Sequence, residues 1–168
     1  MNGQRRVFYS FHYMPDNWRA AKIRNIGVIE GNQPLKDNDW EKIVDAGENQ
    51  IENWIERELE NRSCTIVLIG SETANRPWIN YEIERSWNRG MGITGIYIHG
   101  ISDRYGEICS RGRNPFDYVY FSGDGKPLSS VIKCYDPMGW YSQDKYSWIR
   151  DNLSDIVEEA INIRRNHS

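Results

Sequence analysis

From Thr65 to Ile69 the chain is almost wholly apolar and rich in β-branched side chains, and Gly70 and Ser71 end the run. A short continuous run of this kind predicts a strand buried on both faces of a parallel sheet. Behind it Ile79, Ile83 and Trp87 recur at every fourth position, which predicts a helix with a core-facing stripe. Pro77 falls in its first turn, where a missing N–H costs little, and Asn75 is expected to cap it. The alternation extends in both directions. Arg6 to Tyr13 (RVFYSFHY) predicts a first strand, and the MPD turn after it a helix start capped by Asp16. Asn17 to Asn25 predicts a helix with Trp18, Ala21 and Ile26 on related faces and Gly27 as its stop. Val28 to Asp39 is rich in turn formers and predicts a loop holding a short strand at VIE. Trp40, Ile43 and Val44 predict a helical turn or two before Gly47, and Ile51, Trp54, Ile55 and Leu59 mark one side of a further helix. Its opposite face, with Glu52, Glu56, Arg57, Glu58 and Glu60, is expected to be solvated. Ile93 to His99 predicts another inner strand, and Val131 to Tyr135 the last one, stopped by Asp136 and Pro137. From Gln143 onward Ile149, Leu153, Ile156, Val157 and Ala160 predict a final amphipathic helix broken near Ser154.

Strands alternating with helices imply a mainly parallel central sheet with helices on both faces, an α/β, flavodoxin-like three-layer fold. At 168 residues, with no internal repeat, the chain is read as one domain spanning residues 1–168. The totals exclude several classes of partner. Lys and Arg number 21 against 24 Asp and Glu, so no basic excess exists to hold nucleic acid by counterion release. No stretch approaches the length of a membrane span. The amino terminus passes directly into a strand-like segment without a signal-peptide core, so a cytoplasmic location is expected. The three cysteines, Cys64, Cys109 and Cys134, show no CxxC spacing and read as free thiols.

No phosphate-loop, GxGxxG, GxSxG, HExxH or paired CxxC motif occurs. The histidines at 12, 99 and 167 stand at no metal-ligand spacing with a second ligand, so no metal site is expected. What remains is a glutamate, Glu82, on the helix entered from a strand's carboxyl end, where ligands bind in open α/β sheets. It follows Trp78 by one turn and sits beside the apolar stripe, although from this segment alone the preferred reading is an ordinary solvated helix glutamate. At the end of the first strand Ser10, Phe11 and His12 offer a hydroxyl, an aromatic face and an imidazole. A lone His such as His12 is also commonly a half-buried residue bonded to backbone. The long connection from Gly100 to Ser130 carries Arg104, Arg111 and Arg113, which suit either a diphosphate or an ordinary surface loop.

The pairing of VFYSFHY with VLIGSETANRPWINYEI resembles the TIR domain family, whose first strand ends in an aromatic-serine-aromatic pattern and whose third leads into W-x-x-x-E. Within it, the strings RVFYSFHY, IGSETANRPWINYEI and YGEICSRGRNPFDY are similar to the TIR-like group of the Thoeris anti-phage system. The resemblance covers the amino-terminal two thirds. It implies an enzyme that cleaves the nicotinamide–ribose bond of NAD+ and makes a cyclic ADP-ribose isomer, a second messenger that activates a separate effector. NAD+ is then the substrate and no cofactor is needed. It also implies a catalytic role for Glu82, aromatic walls from Phe11 and Trp78, and polar contacts from Ser10, His12 and Tyr81. Val28 to Asp39 lacks the BB-loop motif of receptor-type TIR domains, so their mode of self-assembly does not carry over, and a homo-oligomer is left open. Two other readings stand beside this one: a non-catalytic TIR-like interaction module, and another N-glycoside enzyme such as a nucleoside deoxyribosyltransferase-like protein.

Overall fold

The computed structural model describes residues 4–32 and 42–167. Five strands, β1 (Arg6–Ser10), β2 (Glu30–Gly31), β3 (Cys64–Ile69), β4 (Gly92–Tyr97) and β5 (Cys134–Tyr135), form one sheet. Every pairing is parallel and the spatial order is β2-β1-β3-β4-β5. This is the flavodoxin-like order, and its direction reverses between β1 and β3. The longer helices among the described residues are α1 (Tyr13–Arg24), α2 (Glu48–Leu59), α3 (Pro77–Asn88) and α4 (Ser142–Arg165). No helix of the described residues is long and apolar enough to cross a membrane.

β3 is buried along its whole length, which is why its sequence is continuously apolar rather than alternating. Its side chains still alternate in direction. Cys64, Ile66 and Leu68 join Val7 and Tyr9 of β1 against α1 and α4, where Ala20, Ile23, Ile149, Leu153 and Val157 meet them. On the other face Val67 and Ile69 pack on Ile79 and Ile83 of α3, while Phe8 packs on Ile51, Ile55 and Leu59 of α2. At Gly92 a Cβ would lie 2.7 Å from the backbone nitrogen of Ile161, so glycine lets α4 press onto the sheet.

Several expectations are corrected. The first strand ends at Ser10, the last residue of β1 paired with β3, and the chain turns into α1 at Tyr13 instead of continuing. Asp16 therefore lies inside α1, with His12 in the cap position and no side-chain cap. The buried face of α1 is Asp16, Arg19, Ala20 and Ile23, not the one through Trp18 and Ala21. The sequence pattern misleads there because Asp16 and Arg19 pair with each other at 3.3 Å and so enter the buried face together. Asn75 does not cap α3; it takes a positive φ of 61 and accepts from Asn80, leaving Arg76 in the cap position. Residues before Cys134 are drawn into the short helical turn Leu128–Ser130, with Ile132 N–H bonded to the Leu128 carbonyl, so β5 is shorter than Val131 to Tyr135. α4 runs unbroken past Ser154, which faces solvent. Residues 42–45 are helical, whereas Trp40 and the loop expected over 33–39 lie outside the described residues.

Candidate active site

The carboxyl end of β1, both ends of α1, the start of α3 and Trp54 of α2 enclose a cleft of about 290 Å³. α3 owes its place to two polar anchors on otherwise apolar ground. The hydroxyls of Thr65 on β3 and Ser86 on α3 meet at 2.7 Å, and Ser86 Oγ also donates to the Glu82 carbonyl. On the outside Glu56 of α2 accepts from Arg85 and Arg89, each at 2.6 Å, and from the Tyr81 hydroxyl at 3.2 Å. The expectation that Glu56 is simply solvated is thereby corrected: it clamps α2 to α3.

Held this way, Glu82 turns into the cleft and is 8% exposed. Its Oε2 has no partner, and no cation pairs with it among the described residues. Burial pushes its carboxyl up to about 8, with Ser10 drawing it partly back. Ser10 Oγ is itself buried, makes no hydrogen bond of ordinary geometry and does not line the cleft; contrary to expectation it stands behind the lining and acts on Glu82, whose Oε2 is the group left for a ligand. A buried, unpartnered acid destabilises the fold relative to an apolar side chain of the same size. It stands where stability alone would not put it, and the reading as a solvated helix glutamate is excluded.

The structure brings Phe11, His12 and Trp78 to the same cleft. Phe11 stacks on Tyr13 with ring centroids 6.2 Å apart. His12 is half-buried with Nδ1 unpartnered, and burial followed by the nearby Arg76 lowers its pKa. Tyr81, by contrast, is not among the lining residues; it packs edge-on to Trp78 at 5.7 Å and bonds to Glu56, supporting the wall from behind. The loop arginines are spent elsewhere: Arg104 on the Tyr105 ring, Arg111 on Tyr97 and Asp136, Arg113 on the Tyr118 hydroxyl. None of them lines the cleft.

Tyr9, Arg24, Asn32 and Arg76 line it without having been singled out in the sequence. Arg76 carried a usable signal, since it immediately precedes the helix-starting Pro77. Asn32 carried none, because only the pairing of β2 with β1 folds it back to the strand end, and Arg24 none, because it reaches the cleft from the end of α1 by donating to the Asn32 carbonyl. Beneath the cleft, Asp16 packs against Gly70 so closely that a Cβ there would enter its carboxylate. Burial raises Asp16 to about 6 despite Arg19. Arg19 in turn donates to the carbonyls of Ile101 and Glu107, tying the connection after β4 to α1.

Residues 8–103 match the family described as Thoeris protein ThsB, TIR-like domain. The chain is also 41% identical over 131 residues to a Bacillus cereus (strain MSX-D12) protein named "Putative cyclic ADP-D-ribose synthase ThsB1", covering 74% of this chain and 68% of that one. The chain belongs to the ThsB TIR-like family. The span matched to ThsB starts within β1 and runs beyond β4, so it contains Ser10, Phe11, His12, Trp78 and Glu82. β5 and α4, which complete the ThsB-like sheet and cover it, lie beyond that span.

Proposed function

We propose that this protein cleaves the bond between nicotinamide and ribose in NAD+ and closes the remaining ADP-ribose into a cyclic isomer. The isomer acts as a diffusible signal to a separate effector in anti-phage defence. One observation carries the reading: an unpaired buried carboxylate, Glu82, faces an aromatic-lined cleft at the strand ends. The chemistry suits a single acid. The N-glycosidic electron pair goes to the pyridinium nitrogen, so nicotinamide leaves neutral and needs no proton. Ionised Glu82 hydrogen-bonds the ribose hydroxyls and stabilises the positive charge that grows on the anomeric carbon, with most effect in a site drained of water. Without substrate Glu82, at about 8, is mainly protonated near neutrality. The fixed positive charge of the bound pyridinium favours its ionised form, so substrate itself helps to charge the catalytic group. Phe11 and Trp78 supply walls for flat rings, His12 supplies a polar contact, and Ser10, behind the lining, acts through Glu82. The new bond to the anomeric carbon comes from an adenine nitrogen or a ribose hydroxyl folded back onto it, with loss of a proton when a hydroxyl attacks.

The test is expression of wild type and Glu82→Gln in cells holding a matching effector, phage challenge, and mass spectrometry of small-molecule extracts. The expected result is an ADP-ribose cyclic isomer in wild-type extracts that the folded variant does not make. If neither protein yields product across several phages while both act alike on the effector, the interaction-module reading replaces this one.

A further inference from the structure

We propose that Arg24, with the hydroxyl of Tyr9, forms the subsite for the dinucleotide's diphosphate, across the end of β1 from Glu82. The inference rests on the NAD+-cleaving reading of the cleft and adds where the anionic part of the substrate lies. Successive residues of a strand face opposite sides of the sheet. Phe8 points to the α2 side and Tyr9 to the α1 side, yet both line the cleft. The cleft therefore wraps over the strand end and has two walls. Glu82 and Trp78 belong to the wall on the Phe8 side, and Arg24, closing α1, to the other.

Among the described residues the second wall holds a cation without an anion. Arg24 donates to the Asn32 carbonyl and lies over the Phe11 ring at 5.9 Å, but its buried Nε has no partner. Among the described residues no carboxylate pairs with it, and Glu58 acts on it only at a distance. Beside it Tyr9 is 2% exposed, its hydroxyl also without a partner. The Tyr9 ring fits because β2 offers Gly31, whose Cβ would come within 2.5 Å of it. Four of the eight unpartnered buried polar atoms of the described residues (Tyr9, His12, Arg24 and Glu82) belong to residues of this one cleft. A guanidinium with spare N–H groups next to a buried hydroxyl matches phosphate oxygens, which take several charge-assisted hydrogen bonds at once. The opposite wall, with an acid and no cation pairing with it, matches the pyridinium and ribose.

Calorimetric binding decides the matter, with ADP-ribose and nicotinamide riboside, which lacks phosphate, as probes and inorganic pyrophosphate as competitor. Arg24→Gln is expected to weaken ADP-ribose binding roughly 30-fold or more while leaving nicotinamide riboside unchanged, and Arg24→Lys to recover part of the loss. Pyrophosphate is expected to compete with ADP-ribose on wild type. Equal ADP-ribose affinity in wild type and Arg24→Gln, or an equal loss for both probes, overturns the subsite alone. Wild type that binds neither probe overturns the NAD+ reading together with it. If Arg24→Gln does not fold, the Arg24→Lys titration and the wild-type competition decide, and failure of pyrophosphate to compete then overturns the subsite.

Discussion

Replacing Glu82 by Gln should stabilise this protein, and by an amount that grows with pH. Burial holds the Glu82 carboxyl at about 8 in the folded chain, against an ordinary value of 4.5. A folded-state pKa raised above the unfolded one means that the folded chain binds the extra proton. The stability this contributes is therefore full below the ordinary carboxyl range and is lost as pH rises toward about 8. Between these limits the loss is about 1.4 kcal/mol per pH unit, so ~3 kcal/mol disappears between about pH 5 and pH 7.5. Gln cannot ionise and loses none of it. Any constant offset from burying an amide drops out when the two proteins are compared across pH, and Asp16, which is raised to about 6, titrates in both and cancels. For a domain of this size the gap should widen by roughly 6–12 °C in Tm over that interval. Urea titrations of both proteins at several pH values measure the same quantity directly. Parallel stability curves would refute the reasoning, because Glu82 would then be hydrated and its place in the cleft would signify nothing about charge.

Three further outcomes are expected. The kcat/KM of wild type for NAD+ should rise with pH through about 8, where the free Glu82 ionises, and Ser10→Ala should move that limb to higher pH because Ser10 is what lowers it; an unmoved limb separates the two groups. Glu82→Gln should reduce turnover at least about 100-fold above about pH 8, where wild-type Glu82 is ionised, with the gap narrowing at lower pH, measured by nicotinamide release. Gly70→Ala, whose Cβ would enter the Asp16 carboxylate, should cost roughly 1–3 kcal/mol by thermal melting, and a neutral effect would mean that Asp16 moves aside freely.

The fold was readable because its signals are local. The unbroken apolar run at Thr65 to Ile69 and the four-residue spacing of Ile79, Ile83 and Trp87 each specify one element, and their alternation leaves few topologies. What escaped were polar residues satisfied over long distances. Asp16 reads as a helix cap, and the burial of the Asp16–Arg19 pair is hidden because the carbonyls that accept from Arg19, at Ile101 and Glu107, reach it only when the chain folds back. Glu82 was legible as a position but not as a charge state, since burial is a property of the assembled walls. Arg24 and Asn32 were invisible for the same reason. The arginines that attracted attention in the sequence, at 104, 111 and 113, are grouped by proximity in the chain and do not meet at the cleft.

The close approach of α4 to Gly92 bears on when the protein can begin to work. During synthesis every strand of the sheet leaves the ribosome before the helix that covers one of its faces. Until Ile149, Leu153 and Val157 arrive, the side chains of Val7, Ile66 and Ile96 have only α1 to cover them. A parallel sheet has few local contacts to hold it meanwhile, so its nascent form remains open and its strand ends unaligned. Docking of α4 closes the face of the sheet to which Tyr9, one of the cleft's lining residues, belongs. Alignment of the strand end that bears the cleft therefore waits on a helix that contributes no residue to the cleft itself.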